Sequence, residues 1–297
     1  MLYSTRNHPM PSFADSQAVL LPGHVFPQHQ AALTIVKDRI EAPTVQTFRW
    51  LDLACGKGQI LACADSVFGP SRKKIEYVGV DVNQAFAVEA QRIAEPLFKT
   101  AAVVICDLDN FEALLPGKQL FDFITFTNGA HEISPRALAT TIVAALCRME
   151  RSGQLYMYDM ESLSDPELGA IIWTGAEMES VMKSIMSAVG EDRYSPEAAV
   201  WPHKTCKGWS LHVNRQYMLC EPEALDGSRG QMIEVARKTI IGILQRKLVT
   251  LDTALDALRR FGATTPDERR VAVSLAYQFW AVSRALSGVA RLASGKT

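Results

Sequence analysis

The sequence predicts an α/β chain built on a doubly wound, mostly parallel sheet. Three observations predict it. Short runs of β-branched and aromatic residues recur between 48 and 160, with helix-compatible segments between them. Several of these runs end in an acidic residue, as expected where buried strands meet a ligand at their C-terminal ends. The first run leads directly into a turn of small residues that carries two glycines.

That first run is Phe48 to Leu53, and the turn is Ala54-Cys55-Gly56-Lys57-Gly58. Glycine has no Cβ, so a ligand can lie against bare backbone there. A helix expected over Gln59–Val67 would offer its unpaired N–H groups to polar ligand atoms. The spacing departs from the dinucleotide-binding G-x-G-x-x-G turn: its first glycine is Ala54 and its last is Leu61. The second run, Lys74 to Asp81, ends in a carboxylate that could accept hydrogen bonds from both hydroxyls of a ribose. Such an acid suits NAD as well as other nucleosides. A helix is expected over Asn83–Glu95. The third run, Ala101 to Leu108, contains Asp107, either a ligand-binding acid or a solvated loop acid or helix cap. The fourth, Leu120 to Thr127, leads into Asn128-Gly129-Ala130-His131-Glu132-Ile133.

Taken together, D-x-A-C-G-x-G at 52–58, V-G-V-D-V-N at 78–83 and F-D-(apolar run)-N-x-x-H-E-I at 121–133 resemble the motifs of the class I S-adenosylmethionine (SAM) dependent methyltransferases. The resemblance covers residues 48 to 133 and implies a Rossmann-like methyltransferase fold with strand order 3-2-1-4-5-7-6, its last strands forming an antiparallel hairpin. It implies SAM as cofactor. Asp52, Ala54, Gly56 and Gly58 would form the loop around the methionine end, Asp81 would meet the ribose, and Asp107 the adenine. Asn128 would lie near the methionine end or the transferring methyl. His131 would either take a proton from the acceptor, or pack against the cofactor or cap the next helix. Glu132 would orient His131 or face solvent.

The expected domains are an N-terminal arm and cap helix over 1–46, a SAM-binding domain over 47–220 and a helical C-terminal extension over 221–297. Pro9, Pro11, Pro22 and Pro27 break the arm into short pieces, and a helix is expected over Gln28–Ile40. Ser134 followed by Pro135 signals a helix start, with the helix expected to run to Arg151. A fifth strand is expected over Gly153–Met160, a long helix over Asp165–Val189, a loop over 191–208 and a late strand over Trp209–Cys220. Both strands of the final hairpin are not placed by the pattern. Helices are expected over 229–247, 251–261 and 266–292, the last opened by Thr265-Pro266-Asp267-Glu268.

Composition agrees with a globular chain. Of its 297 residues 48% are hydrophobic and 21% charged, and the formal net charge is −1. That balance gives no overall attraction to nucleic acid or an anionic membrane. The six cysteines form no C-x-x-C pair, and no metal site is expected; a set from His203, Cys206 and His212 lacks a second compact ligand pair. His203, His212 and Tyr217 lie where the acceptor site would be built. No apolar stretch is long enough to span a bilayer, and Met1 to Asp15 lacks the basic-then-apolar order of a secretory signal, so a cytoplasmic location is expected.

The expected function is methyl transfer to a small-molecule oxygen, nitrogen or carbon acceptor. An RNA or protein acceptor is the second enzymatic reading. A SAM-binding interaction protein without turnover is the third. The apolar positions of the last helices would suit a homodimer.

Overall fold

The computed structural model describes residues 27–115, 117–163, 167–203 and 206–293. The expectations for the polar arm before residue 27 lie outside these. Seven strands form one sheet in the order β3-β2-β1-β4-β5-β7-β6. The chain divides into two compact units, Met1–Phe126 and Thr127–Thr297.

The first unit opens with helix α1 (Pro27–Glu41), which buries Ala32, Leu33, Val36 and Ile40. Strands β1 (Phe48–Leu53), β2 (Ile75–Asp81), β3 (Thr100–Ile105) and β4 (Phe121–Thr127) follow. They pair in parallel: Leu53 lies opposite Val80 and Phe126, and Asp81 opposite Ile105. The C-terminal ends of these strands therefore share one edge. Central β1 is buried almost throughout, as a parallel strand covered on both faces must be. Trp50 packs edge-on against Phe68, Tyr77 and Phe98, a large apolar contribution from one residue.

The helix expected after the glycine turn is shorter than its pattern suggested. A 3-10 turn over Leu61–Cys63 leads into α2 (Ala64–Phe68), and a second 3-10 segment over Gly69–Lys74 reaches β2. Gly69 has φ +52°, which ends the α-helix, and Pro70 lies just beyond it. Helix α3 (Gln84–Leu97) starts as expected: the Asn83 side chain accepts from the Ala85 and Phe86 N–H groups. The short α4 (Phe111–Leu114) precedes β4.

In the second unit, α5 (Pro135–Cys147) is capped by Ser134, whose Oγ accepts from Ala137 N–H at 3.1 Å. The helix ends four residues before the expected Arg151, because β5 (Met149–Met160) begins almost at once. The long helix expected from Asp165 is α6 (Gly175–Ala188). Its start is set by a capping box: Thr174 Oγ1 accepts from Glu177 N–H at 3.2 Å, and Glu177 accepts from Thr174 N–H at 2.8 Å. The loop expected over 191–208 instead contains β6 (Ala198–His203), which forms an antiparallel hairpin with β7 (Cys206–Asn214). β6 occupies the sheet edge, where Pro202 is tolerated. β7 runs antiparallel to β5, with Trp209 opposite Asp159. Beyond it lie α7 (Pro222–Gly227), α8 (Arg229–Phe261) and α9 (Pro266–Ala293). The two helices expected over 229–261 are one, because no Gly or Pro interrupts residues 248–250. The α9 start matches its signature, with Glu268 N–H donating to Thr265 Oγ1 and Glu268 Oε2 accepting from Thr265 N–H. Among the described residues, no helix is long and apolar enough to cross a membrane.

Candidate functional site

Each unit carries a polar cluster at the end of its strands, and the two are built differently.

In the first unit the β1 turn is held in left-handed backbone. Ala54 has φ +54°, Gly56 +54° and Gly58 +81°. Left-handed backbone is costly for alanine and cheap for glycine, so Ala54 carries local strain of about 1–2 kcal/mol. At Gly58 a Cβ would lie 3.3 Å from Ala90 Cα, so this glycine also lets α3 pack close to the turn. Asp81 fastens the turn to β2: one carboxylate oxygen accepts from Gly56 N–H at 2.8 Å and the other from Asn83 N–H at 2.8 Å. Each oxygen keeps a further lone pair. Cys55 N–H donates to Val80 O at 3.0 Å, a second tie between turn and β2.

Asp52 sits beneath this turn, 1% exposed. Its carboxylate accepts from Thr125 Oγ1 at 2.6 Å and from Tyr77 Oη at 2.9 Å, while Trp50 Nε1 donates to Thr125 Oγ1 at 2.8 Å. Burial raises the Asp52 pKa to about 6 against the opposing pull of the two hydroxyl donors, and the Asp81 charge adds a smaller rise. Every atom Asp52 is seen to engage belongs to the unit's interior. Asp107 lies just beyond β3 and is exposed; its Oδ1 accepts from Asp109 N–H at 3.1 Å.

In the second unit the segment after β4 is pinned to β5. Asn128, at φ +56°, donates its N–H to Tyr158 O at 2.9 Å. His131 is 5% exposed and meets Asp159 twice: its N–H donates to Oδ2 at 3.0 Å, and its Nδ1 lies 2.6 Å from Oδ1. Ile171 N–H donates to His131 O at 2.9 Å, and Trp173 Nε1 to Ala130 O at 3.1 Å. The other ring nitrogen, Nε2, faces Glu167 Oε2 at 3.6 Å and Glu132 Oε1 at 3.8 Å. Burial alone would lower the imidazole pKa. The Asp159 charge and hydrogen bond, with Glu167 and Glu132 adding to them, outweigh it and carry the pKa up to about 11. His131 therefore holds a proton at neutral pH, and the expected role as a base requires that proton to leave first.

Three sequence-predicted residues of the acceptor region are spread apart in role. His212 lies on β7 with Nε2 3.0 Å from Gln154 Oε1, and burial lowers its pKa. Tyr217 is 62% exposed, its ring 6.1 Å from that of Tyr194. His203 and Cys206 end the paired strands of the β6–β7 hairpin. Sequence reasoning missed Asp159 and Glu167. Asp159 had a visible signal, since it closes an apolar run as Asp52 and Asp81 do. Glu167 had none.

The strand order, with β7 antiparallel between β5 and β6, is the one the motif resemblance implied. The fold is a Rossmann-like α/β sheet, mostly parallel, with an antiparallel last hairpin. No known protein family and no curated protein matches the chain. Solved structures do. Magnesium protoporphyrin IX methyltransferase from Synechocystis PCC 6803, with bound SAH, is 14% identical at a TM-score of 0.45, covering 67% of this chain and 92% of that one. A 1,6-didemethyltoxoflavin-N1-methyltransferase from Burkholderia thailandensis is 16% identical at 0.42, covering 63% and 78%. An rRNA methylase from Streptococcus thermophilus is 13% identical at 0.40, covering 61% and 93%.

Proposed function

We propose that this chain is a SAM-dependent methyltransferase acting on a small-molecule oxygen, nitrogen or carbon acceptor. The observation that carries the reading is the left-handed turn Ala54–Gly58, tied by Gly56 N–H to the carboxylate that ends β2. This turn fits the methionine end of the cofactor, because its glycines leave backbone open to close approach. Asp81 fits the ribose: with one N–H on each oxygen, it still has lone pairs for two hydroxyl donors. Asp107 is the candidate partner for the adenine amino group, and Asn128 for the methionine end. Asp52 supports the turn from below and meets the ligand only through it.

When bound, SAM supplies an electrophilic methyl group on a sulfonium. The residues of this chain then have to align an acceptor, since orientation alone can supply on the order of 7–11 kcal/mol. His131, its proton held by Asp159 with Glu167 and Glu132 adding to it, is poorly placed to take a proton from the acceptor. Amines and soft carbanions suit this arrangement, because they need no base. The near-neutral net charge of −1 favours a small acceptor over RNA.

Calorimetry of the purified chain with SAM and SAH tests the binding step, and release of SAH from SAM in the presence of metabolite fractions tests turnover. Binding with acceptor-dependent release is expected. Absence of SAM and SAH binding, with uptake of a nicotinamide or flavin instead, would overturn the reading. Binding without release from any fraction would favour the interaction protein, and salt-sensitive RNA binding with RNA-dependent release the RNA enzyme.

A further inference from the structure

The second unit holds a cavity that the methyl-transfer reading does not use. It has a volume of about 430 Å³ and lies between Glu150 and Arg151, near the start of β5, and Arg215, Met218 and Leu219, just after β7. That volume falls within the ordinary range of small-molecule sites. Asp159 and the His131 cluster lie towards the other end of β5. Nine residues of extended strand put Glu150 and Asp159 about 30 Å apart.

Arg215 gives the cavity its chemistry. It opens a 3-10 turn (Arg215–Tyr217) and is 2% exposed. A guanidinium offers five N–H donors in a fixed fork and keeps its charge inside proteins. Both of its hydrogen-bond partners belong to Cys220: Nη1 lies 3.7 Å from the thiol sulfur, and Nη2 donates to the carbonyl oxygen. Glu191, also buried, turns to the same residue, where its carboxylate accepts from Cys220 N–H. It balances the charge at one remove and leaves the Arg215 Nε uncovered. That nitrogen is buried and has no hydrogen-bond partner among the described residues. A buried donor left unmade is costly, and more so on a charged group. An oxyanion is the partner that matches it best.

We propose that this cavity binds a small organic carboxylate, with the acid on Arg215 and the apolar body against Met218 and Leu219. Leu219 is 83% exposed, so a hydrocarbon ligand lying on it removes apolar surface from water. Glu150 lines the same cavity, and its charge disfavours a dianion such as phosphate. The site stands on residues of the second unit alone and does not depend on the chain binding SAM.

The test is calorimetry on the full chain with hexanoate, its neutral counterpart hexanamide, and inorganic phosphate. Hexanoate should bind with one site, and hexanamide and phosphate at least about tenfold more weakly, since a hydrogen bond to a charged pair is lost or the second charge is opposed. Leu219→Asp, at an exposed position that leaves the interior intact, should weaken hexanoate at least about tenfold, and Arg215→Gln should abolish binding. No heat with hexanoate up to tens of millimolar, equal binding of hexanamide, or binding that Leu219→Asp leaves unchanged would overturn the proposal. Phosphate binding as tight as hexanoate would overturn the assignment to a carboxylate. Should Arg215→Gln fail to fold, Leu219→Asp and the hexanamide comparison decide it.

Discussion

Asp52 and Asp159 are both 1% exposed, both close a strand of the sheet, and both sit under a backbone segment with a left-handed residue. Their partners differ. Asp52 is met by two neutral hydroxyls, from Thr125 and Tyr77. Asp159 is met by an imidazole and two backbone N–H groups. The consequence lies in how each cluster titrates. Beside neutral donors, burial wins and the Asp52 pKa rises to about 6. In the other cluster the Asp159 charge and hydrogen bond, with Glu167 and Glu132, carry the His131 pKa up to about 11 against the effect of burial. Burial alone does not determine how a buried cluster titrates; the charge that the acid's partner can carry counts as well.

The largest effect that separates the two comes from removing each charge while keeping the shape. Asp159→Asn leaves a buried imidazolium without its counter-charge, and breaking such a pair costs about 3–5 kcal/mol. Asp52→Asn removes a carboxylate that burial already disfavours, so the cost should be about 1–2 kcal/mol, the loss of well-made hydrogen bonds. Urea unfolding at pH 7, read as midpoints at constant slope, measures both. Equal losses would remove the distinction drawn between them.

Ligand binding gives the next effect. Asp81 is the acid whose oxygens keep free lone pairs while tying the Gly56 turn. Asp81→Ala should weaken SAM binding by about 1.5–3 kcal/mol, the value of a hydrogen bond to a charged group. Asp52→Asn should change SAM affinity far less, because its partners are interior. Calorimetry on both variants sharpens the comparison, and a weakening at Asp52 as large as at Asp81 would place Asp52 on the ligand.

The pH dependence differs in its window. The folded Asp52 pKa lies above the ordinary 3.8, so between about 4 and 6 the folded state binds more protons and stability falls as pH rises. The His131 pKa also lies above its ordinary 6.5, so its contribution is complete below about 6.5 and is lost as pH rises through about 11. His29 runs the other way: burial lowers its pKa to about 4, and stability falls as pH drops from about 6.5 towards that value. Subtracting the stability profile of Asp52→Asn from that of the native chain should therefore isolate a slope confined to pH 4–6. NMR of the protein should show the His131 ring as an imidazolium across pH 6–9. A ring that titrates near 6.5 would break the ion-pair assignment.

The first unit was legible because its signals are local. Each parallel strand is a short apolar run, and the turn after β1 is marked by its own glycines, so β1 to β4 begin within one residue of expectation. The resemblance singled out Gly56 and Asp81 separately, one for the methionine loop and one for the ribose; the bond between them emerges only in the structure. The second unit resisted for reasons that are equally physical. β6 reads as a loop because Pro202 counts against a strand, and only its edge position permits it. The α6 start was visible in Thr174-Gly175-Ala176-Glu177, a capping box, yet Pro166 offered a competing start. His131 was identified as a residue of interest, but its character depends on Asp159, 28 residues later, and on Glu167, further still. No local pattern reports a charge delivered from another strand.

The smallest predicted effect concerns the left-handed residues themselves. Ala54 occupies a conformation that costs an alanine about 1–2 kcal/mol, and glycine would relieve it. Glycine also adds freedom to the unfolded chain, which returns about 0.4–1 kcal/mol. Ala54→Gly should therefore stabilise the fold by no more than about 1 kcal/mol, with SAM affinity within about twofold, because the turn's path is already fixed by Gly56 N–H on Asp81 and Cys55 N–H on Val80. Thermal unfolding and calorimetry on one preparation measure both quantities. A substantial loss of affinity without loss of stability would mean that the Ala54 methyl group itself contacts the ligand. The turn would then act through a side chain as well as through its exposed backbone.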